Sequence, residues 1–155
     1  WLKQAKDRGF SVDRQGYLAA IKTCFNKRDW MQAVKWISYY SNSKVCVKRD
    51  VTVNLQHAMR HLTEREKHED VVEAFNILFQ QSQQTGAIGW MSVDLVNLLL
   101  ENLFLLGKAG AAQDTALGMF GTDGLGLQAN DRTIQIFTKH LGEAEARDLI
   151  LEVQN

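Results

Sequence analysis

The chain has 155 residues, of which 45% are hydrophobic, and its 18 basic and 18 acidic side chains give a formal net charge of zero. This composition supplies enough apolar material for a continuous core and excludes a disordered polar tail. Because no apolar stretch reaches membrane-spanning length and charges interrupt residues 1–8, we expect neither a membrane helix nor an export signal in this sequence.

The neutral total conceals a difference between the two halves of the chain. Residues 1–70 contain 14 Lys and Arg against 8 Asp and Glu, whereas residues 71–155 contain 4 against 10. The halves therefore carry formal charges of +6 and −6. Each phosphate contact depends on a cation, so if the chain binds RNA, its first half should make the contacts. The acidic half should instead contact protein.

Apolar residues recur at helical spacing along most of the chain, which has no proline. The first two stripes follow the i, i+3, i+4, i+7 pattern of amphipathic helices. Only residues 26–29 separate them, and Asp29 can accept the free amides of the second helix's first turn. We predict two antiparallel helices joined by a tight turn, striped by Tyr17, Ala20, Ile21, Cys24 and Phe25 and by Trp30, Ala33, Val34, Ile37 and Tyr40.

The same pairing is predicted for the second unit. Asp50 is placed to cap its first helix, which carries apolar residues at helical spacing up to Leu62. After a charged connector over residues 63–69, Asp70 is placed to cap the partner helix. The sequence therefore predicts a second helical hairpin with aspartate at the start of each helix.

A third unit follows Gly89. Its first helix, over residues 91–106, is apolar almost all round, so we expect Leu99 and Leu103 to lie in the most enclosed helix of the chain. A Gly-rich stretch, residues 121–126, then leads to a last pair of helices. We interpret this stretch as a flexible linker, because no strand precedes it and no Lys-Ser/Thr follows it as in a phosphate loop.

One small residue recurs in the second helix of each unit. The separations between these alanines are 41, 42 and 30 residues, for Ala33, Ala74, Ala116 and Ala146. A two-helix unit at this period indicates an α-solenoid. We therefore expect an all-α fold, namely a right-handed α-solenoid of about four helix-turn-helix repeats. The repeats should form one array over residues 1–155, with units near 10–45, 48–86, 89–121 and 129–155. Trp1–Arg8 fits the second helix of a preceding unit, which suggests a longer array.

Several positions of the first unit follow a known repeat pattern: Tyr17, Ala20-Ile21, Lys27-Arg28-Asp29-Trp30, Ala33, Trp36-Ile37 and Tyr40. This unit resembles the pentatricopeptide repeat, a helical-hairpin family of organellar RNA metabolism. Later units match in shorter segments, at Asp50-Val51-Thr52-Val53-Asn54, at Gly107-Lys108-Ala109-Gly110 and loosely at Asp131-Arg132-Thr133-Ile134-Gln135. The resemblance implies RNA binding, single-stranded or ribosomal, and a mitochondrial location.

The family's base-reading positions are altered in this chain. Carried over, the reading pairs are Leu18 with Asp50 and Asn54 with about Asn97. Leu18 cannot form a hydrogen bond with a base. The resemblance therefore implies a divergent array that holds structured RNA or protein rather than one that reads one base per repeat.

Polar residues on the first helices of the two N-terminal units are the candidate RNA contacts. They are Arg14, Lys22, Arg49, Asp50, Asn54, His57 and Arg60. A metal site at His57 and His61 is disfavoured, because Arg60 lies between them and the Glu of a metalloprotease motif is missing. An ordinary solvated face remains the alternative for these polar residues.

No catalytic set is apparent in the sequence. Neither a Ser-His-Asp nor a Cys-His arrangement has local support, and Cys24 lies on an apolar stripe, where a thiol behaves as a small hydrophobe. We expect Cys24 and Cys46 to be reduced structural residues. The sequence predicts no enzyme, no cofactor and no metal.

Two functions remain open at this point. The first is a non-catalytic subunit of a mitochondrial ribonucleoprotein, such as the mitochondrial ribosome or an RNA-processing or editing complex, that binds RNA through its first half and protein subunits through its second. The second is a scaffold of the tetratricopeptide kind that binds only protein. The neutral total charge and the missing reading residues favour the second; the first-unit pattern and the basic first half favour the first.

Overall fold

A computed structural model describes residues 12–85, 89–120 and 125–154. All regular structure in these ranges is helical, and the only strand-like feature is an isolated bridge between Phe120 and Leu127. The expected all-α class is thereby confirmed. The eight described helices are α1 Arg14–Asn26, α2 Trp30–Ser41, α3 Lys48–Glu64, α4 His68–Thr85, α5 Val93–Leu105, α6 Ala109–Met119, α7 Asp131–Leu141 and α8 Glu143–Gln154. The segment Trp1–Arg8 and residues 121–124 of the Gly-rich stretch lie outside the described residues.

The chain forms two compact units, which divide between Trp90 and Met91. In unit 1, α1 packs on α2, α3 packs on α4, and α2 contacts both helices of the following pair. In unit 2, α5 packs on α6 and α7 on α8, while α5 also contacts α7 and α6 contacts α8. Each predicted hairpin is therefore a packed pair of consecutive helices. None of the described helices is long and apolar enough to cross a membrane.

The turns after α1, α3 and α5 have the same backbone geometry. Each helix is followed by a cap residue and then by a residue with positive φ: Arg28 at 58°, Glu66 at 60° and Gly107 at 75°. The next amide donates to the carbonyl five residues earlier, in every case at 2.9 Å, from Asp29 to Cys24, from Lys67 to Leu62 and from Lys108 to Leu103. This Schellman-type closure satisfies carbonyls at the helix end and gives the three hairpins the same tight turn.

Burial follows the predicted stripes. The recurring alanines of the second helices, Ala33, Ala74, Ala116 and Ala146, are all at most 1% exposed. The third unit's first helix is the most enclosed, with its buried residues Leu95, Val96, Asn97, Leu99, Leu100, Asn102, Leu103 and Phe104. Helical periodicity thus identified most of the core residues, because the residues of one stripe face the neighbouring helix, whereas Ala20 and Phe25 of the first stripe are half-buried.

Helix starts were predicted less well than stripes. Asp29 is the N-cap of α2 and accepts a hydrogen bond from the Gln32 amide at 3.2 Å, as predicted. The predictions for Asp50 and Asp70 were wrong, because α3 begins at Lys48 and α4 at His68. Both carboxylates instead lie in a first turn, where they still face the positive end of the helix dipole.

Trp90 closes the C-terminal end of unit 1. Its indole Nε1 donates to the Ser82 hydroxyl at 2.6 Å, and its ring meets Phe75 edge-on with centroids 5.9 Å apart. The Thr52 hydroxyl donates to the Trp90 carbonyl at 2.5 Å. A buried tryptophan with its N–H satisfied thus fixes residue 90 to both α3 and α4.

Candidate nucleic-acid interface

The N-terminal ends of α1 and α3 are joined by a charged hydrogen-bond network. The Arg14 guanidinium donates to both oxygens of Asp50, with Nε–Oδ2 at 2.8 Å and Nη2–Oδ1 at 3.2 Å. The Tyr40 hydroxyl donates to Oδ2 at 2.7 Å and accepts the Val47 amide at 2.9 Å. Arg14 and Asp50, two of the candidate RNA contacts, therefore bind each other.

Electrostatics in this network favour the ion pair. The hydrogen bonds from Arg14 lower the pKa of Asp50, and the same pairing raises the pKa of Arg14. Burial raises the pKa of Tyr40, which keeps its hydroxyl protonated as a donor. A bidentate Arg–carboxylate pair is geometrically specific, so its main consequence is to fix α1 against α3.

Replacing Asp50 by alanine should lower the free energy of unfolding of unit 1 by about 1–3 kcal/mol, because the buried Tyr40 hydroxyl loses its acceptor and Arg14 loses its partner. Urea melts followed by circular dichroism measure the change. The matched control is Asp114→Ala on an exposed part of α6, which should be nearly neutral. Equal effects of the two variants would contradict a structural role for Asp50.

Beyond this network, α1 and α3 form a shallow groove of about 430 Å³. Its apolar lining is Phe25 and Val53, and its polar lining is Asn54, Gln56, His57 and Arg60. No carboxylate is among these lining residues. The Asn54 side-chain nitrogen donates one of its two hydrogens to the Asp50 main-chain carbonyl at 2.8 Å, which holds the amide in place and leaves its second N–H as a donor. The groove therefore combines apolar surface with neutral and cationic donors.

Three cations of the predicted site lie on the exposed surface of α1 and α3. Lys22, Arg49 and Arg60 are exposed, and none forms an ion pair with a carboxylate in the described part of unit 1. Arg49, Val53, Gln56 and Arg60 recur at i, i+4, i+7 and i+11, so they share one face of α3. Of the candidate contacts, the structure thus brings Asn54, His57 and Arg60 together in the groove and leaves Lys22 and Arg49 as free surface cations.

An aromatic–histidine cluster, comprising Phe25, Trp30, His57 and His61, adjoins the groove, and Phe25 and His57 belong to both. His57 meets Phe25 edge-on with centroids 4.7 Å apart, and His61 stacks on Trp30 at 4.3 Å and 5°. The two imidazoles are 4.5 Å apart, and the Arg65 guanidinium lies 5.1 Å from the Trp30 ring centroid. The sequence did not predict this cluster. Two features of the sequence could have indicated the cluster: the i, i+4 pair of histidines on one helix, and the two aromatic residues that flank the turn between α1 and α2.

We expect the cluster to make the stability of unit 1 depend on pH. Burial, His61 and Arg60 lower the pKa of His57, so the unfolded chain binds a proton more readily than the folded chain. The contribution of His57 to stability is therefore fully present above its unfolded pKa of about 6.5 and is lost as the pH falls through its lower folded pKa. Urea melts at about pH 7.5 and about pH 5.5 should show this loss, and His57→Phe should reduce it. An unchanged pH dependence in that variant would contradict the assignment.

The polar residues of unit 2 form a different kind of site. Asn97, predicted as a partner of Asn54 in base reading, is only 4% exposed. Its Nδ2 donates to Asn130 at 3.0 Å, and its Oδ1 accepts the Thr133 hydroxyl at 2.7 Å. Asn130 also caps α7 through a capping box with Thr133. This network connects α5 to the start of α7 and occupies the side chain of Asn97.

No metal site is formed by the described residues, since none of their His, Cys, Asp and Glu side chains come together in a group of three or more. Both cysteines are free, Cys24 buried and Cys46 half-buried. Burial raises the pKa of both thiols, which keeps them protonated and weakly nucleophilic.

The described part of the chain is thus an all-α protein of packed helical hairpins. Its candidate site is a groove between α1 and α3 that no carboxylate lines. No protein-family model, curated protein or solved structure matches this chain. The function is therefore argued from the residues of the groove and their surroundings.

Proposed function

We propose that this chain is a non-catalytic, pentatricopeptide-repeat-like subunit of a mitochondrial ribonucleoprotein, such as the mitochondrial ribosome or an RNA-processing or editing complex. RNA lies along α1 and α3 of unit 1, and protein subunits contact unit 2. In this proposal the helical hairpins are about four repeats of a right-handed α-solenoid. The sequence resemblance of the first unit to that family supports the assignment.

The observation that carries the RNA proposal is the composition of the groove. Its lining has an arginine, a histidine, two side-chain amides and two apolar side chains, and no carboxylate. Lys22 and Arg49 add exposed cations without carboxylate partners in the described part of unit 1. Phosphates bind to cations and amide donors, and sugars and bases bind to apolar side chains, so the groove is chemically complementary to single-stranded RNA.

The same residues favour holding RNA over reading its sequence. Leu18 offers no hydrogen bond, Asp50 is engaged by Arg14 and Tyr40, and Asn97 is buried in its own network. Phosphate contacts fix the position of a strand but carry no sequence information. RNAs of unrelated sequence should therefore bind unit 1 with similar affinities.

Unit 2 is proposed to contact protein. Residues 91–155 contain 4 Lys and Arg against 9 Asp and Glu, a formal charge of −5 that repels a phosphate backbone. Leu117 and Leu151 are 39% and 55% exposed on α6 and α8. Exposed leucines among acidic side chains suit a protein partner better than RNA.

A salt series tests the RNA proposal. Binding of a labelled single-stranded oligoribonucleotide should weaken as salt rises, with a log–log slope of about −2 if Lys22, Arg49 and Arg60 each neutralise one phosphate. Filter binding of the whole chain measures this slope. A correctly folded chain that binds no RNA at low salt would instead support the tetratricopeptide-like scaffold, which binds protein alone.

The proposed location has its own test. The full-length protein, tagged at its C-terminus, should co-fractionate with mitochondria and sediment with a large ribonucleoprotein. Treatment of the lysate with ribonuclease should change that sedimentation. Exclusion of the protein from mitochondria would overturn the proposed location without affecting the RNA test.

A further inference from the structure

We propose that the groove between α1 and α3 binds one RNA phosphate between the imidazole of His57 and the guanidinium of Arg60, and that His57 takes up a proton as the phosphate enters. The inference rests on the proposed function and adds a specific contact and a proton to it. This proton uptake makes RNA affinity depend on pH between the pKa values of His57 in the free and in the RNA-bound protein.

The geometry of α3 supports this pairing. His57 and Arg60 are three residues apart on one helix, so their side chains are neighbours on its surface. Both are exposed, and both line the groove together with the side-chain amides of Asn54 and Gln56. Phe25, on the α1 side, meets the His57 ring edge-on and limits its movement. An anion entering the groove would thus meet the nitrogen donors of His57 and Arg60 and no carboxylate among the lining residues.

The charges that act on His57 explain why a phosphate would bring a proton with it. His61 and Arg60 on α3 disfavour its protonation, and only Glu64 favours it. The α1–α2 side contributes the rings of Phe25 and Trp30. The largest cause is partial desolvation of the ring where it meets Phe25 and Trp30, and it acts in the same direction as the cations, so the pKa of His57 is lowered in the free protein. A phosphate beside the ring adds the missing negative charge and raises that pKa again.

By linkage, a group whose pKa rises on binding makes the complex tighter as the pH falls through the interval between its two pKa values. For one proton the affinity rises at most about tenfold per pH unit. Other phosphate contacts come from Lys and Arg, which stay charged over this interval and add no pH dependence. The part of the pH dependence that a His57 substitution removes is therefore the readout of His57.

Fluorescence anisotropy with a labelled oligouridylate tests the proposal at constant ionic strength. From about pH 8 to about pH 6 the affinity of the whole chain should rise several-fold, and His57→Gln should abolish that rise. His140→Gln is the matched control, because burial also lowers the pKa of His140, which lies on α7 of unit 2. Circular dichroism at each pH confirms that the variants remain folded.

A second measurement follows the protonation of His57 directly and does not depend on the measured affinity. Proton NMR of the His57 imidazole should show its pKa rising when the oligouridylate is added, and Arg60→Gln should reduce the rise. Binding that is independent of pH, or a rise that survives His57→Gln, overturns this inference and leaves the proposed function standing. If no RNA binds at any pH, the proposed function fails, and the inference with it.

Discussion

Leu99→Ala should lower the free energy of unfolding of unit 2 by about 2–5 kcal/mol. The side chain is 4% exposed on α5, the helix with the longest run of buried residues. Removing its terminal carbons loses their transfer free energy and leaves a cavity that packed neighbours fill only in part. Denaturant melts monitored by circular dichroism measure the change.

The matched control lies on the same helix. Leu105 is 46% exposed, so Leu105→Ala removes the same atoms from a site that already contacts water. Its expected effect is within about 0.5–1 kcal/mol, because neither a cavity nor much burial is lost. If both variants were neutral, α5 would not be the enclosed helix of unit 2.

Reversing the charges of Lys22 and Arg60 together should weaken RNA binding about 100-fold. Each phosphate hydrogen bond from a charged donor contributes about 1.5 kcal/mol or more, and two lost contacts amount to about 3 kcal/mol. The loss should be similar for RNAs of unrelated sequence, because phosphates carry no base information. The double variant Lys22→Glu, Arg60→Glu is compared with the unmodified chain by filter binding.

Lys108→Glu with Lys139→Glu supplies the control reversal. Both lysines are exposed in unit 2, and the variant changes the net charge by the same amount as the unit 1 variant. If a general electrostatic field attracted RNA, the two variants would lose affinity equally. Equal losses would contradict the assignment of RNA to unit 1, whereas a small loss in the control supports it. Arg14 is unsuitable for this comparison, because reversing it would place two carboxylates together at Asp50.

Burial was the most predictable feature of this fold. Stripes such as Val51, Leu55, Ala58, Met59 and Leu62 follow a helical period, and all five are buried in α3. The period depends only on local helix geometry, so it needs no knowledge of the partner helix. The turn after α1 was also predictable, since Asp29 caps α2 through residues three apart in sequence.

Features that depend on distant contacts were not predictable. Asp50 was expected to cap a helix, but Arg14, 36 residues away, and Tyr40 bind its carboxylate. Which partner a carboxylate finds is decided by packing, which a local pattern does not contain. The hydrogen bond from Trp90 to Ser82 was also not predicted. Trp90 lies between α4 and α5, where the sequence has no helical period to indicate burial.

The candidate site was predictable in part. The sequence indicated Arg49, Asn54, His57 and Arg60 as candidate RNA contacts on α3, and the structure places three of these in one groove. The apolar lining by Phe25 was not foreseen, since Phe25 was assigned to a core stripe and is half-buried. Residues at the edge of a stripe face both the core and the surface, and only the packed structure decides between them.

The most direct measurement of the central claim is an amide NMR titration of the uniformly ¹⁵N-labelled chain with a single-stranded oligoribonucleotide. We expect shifts at residues of α1 and α3, including Lys22, Asn54, His57 and Arg60, and no comparable shifts in α5–α8. Shifts concentrated in unit 2, or an unchanged spectrum at low salt with excess RNA, would contradict the proposal that unit 1 binds RNA.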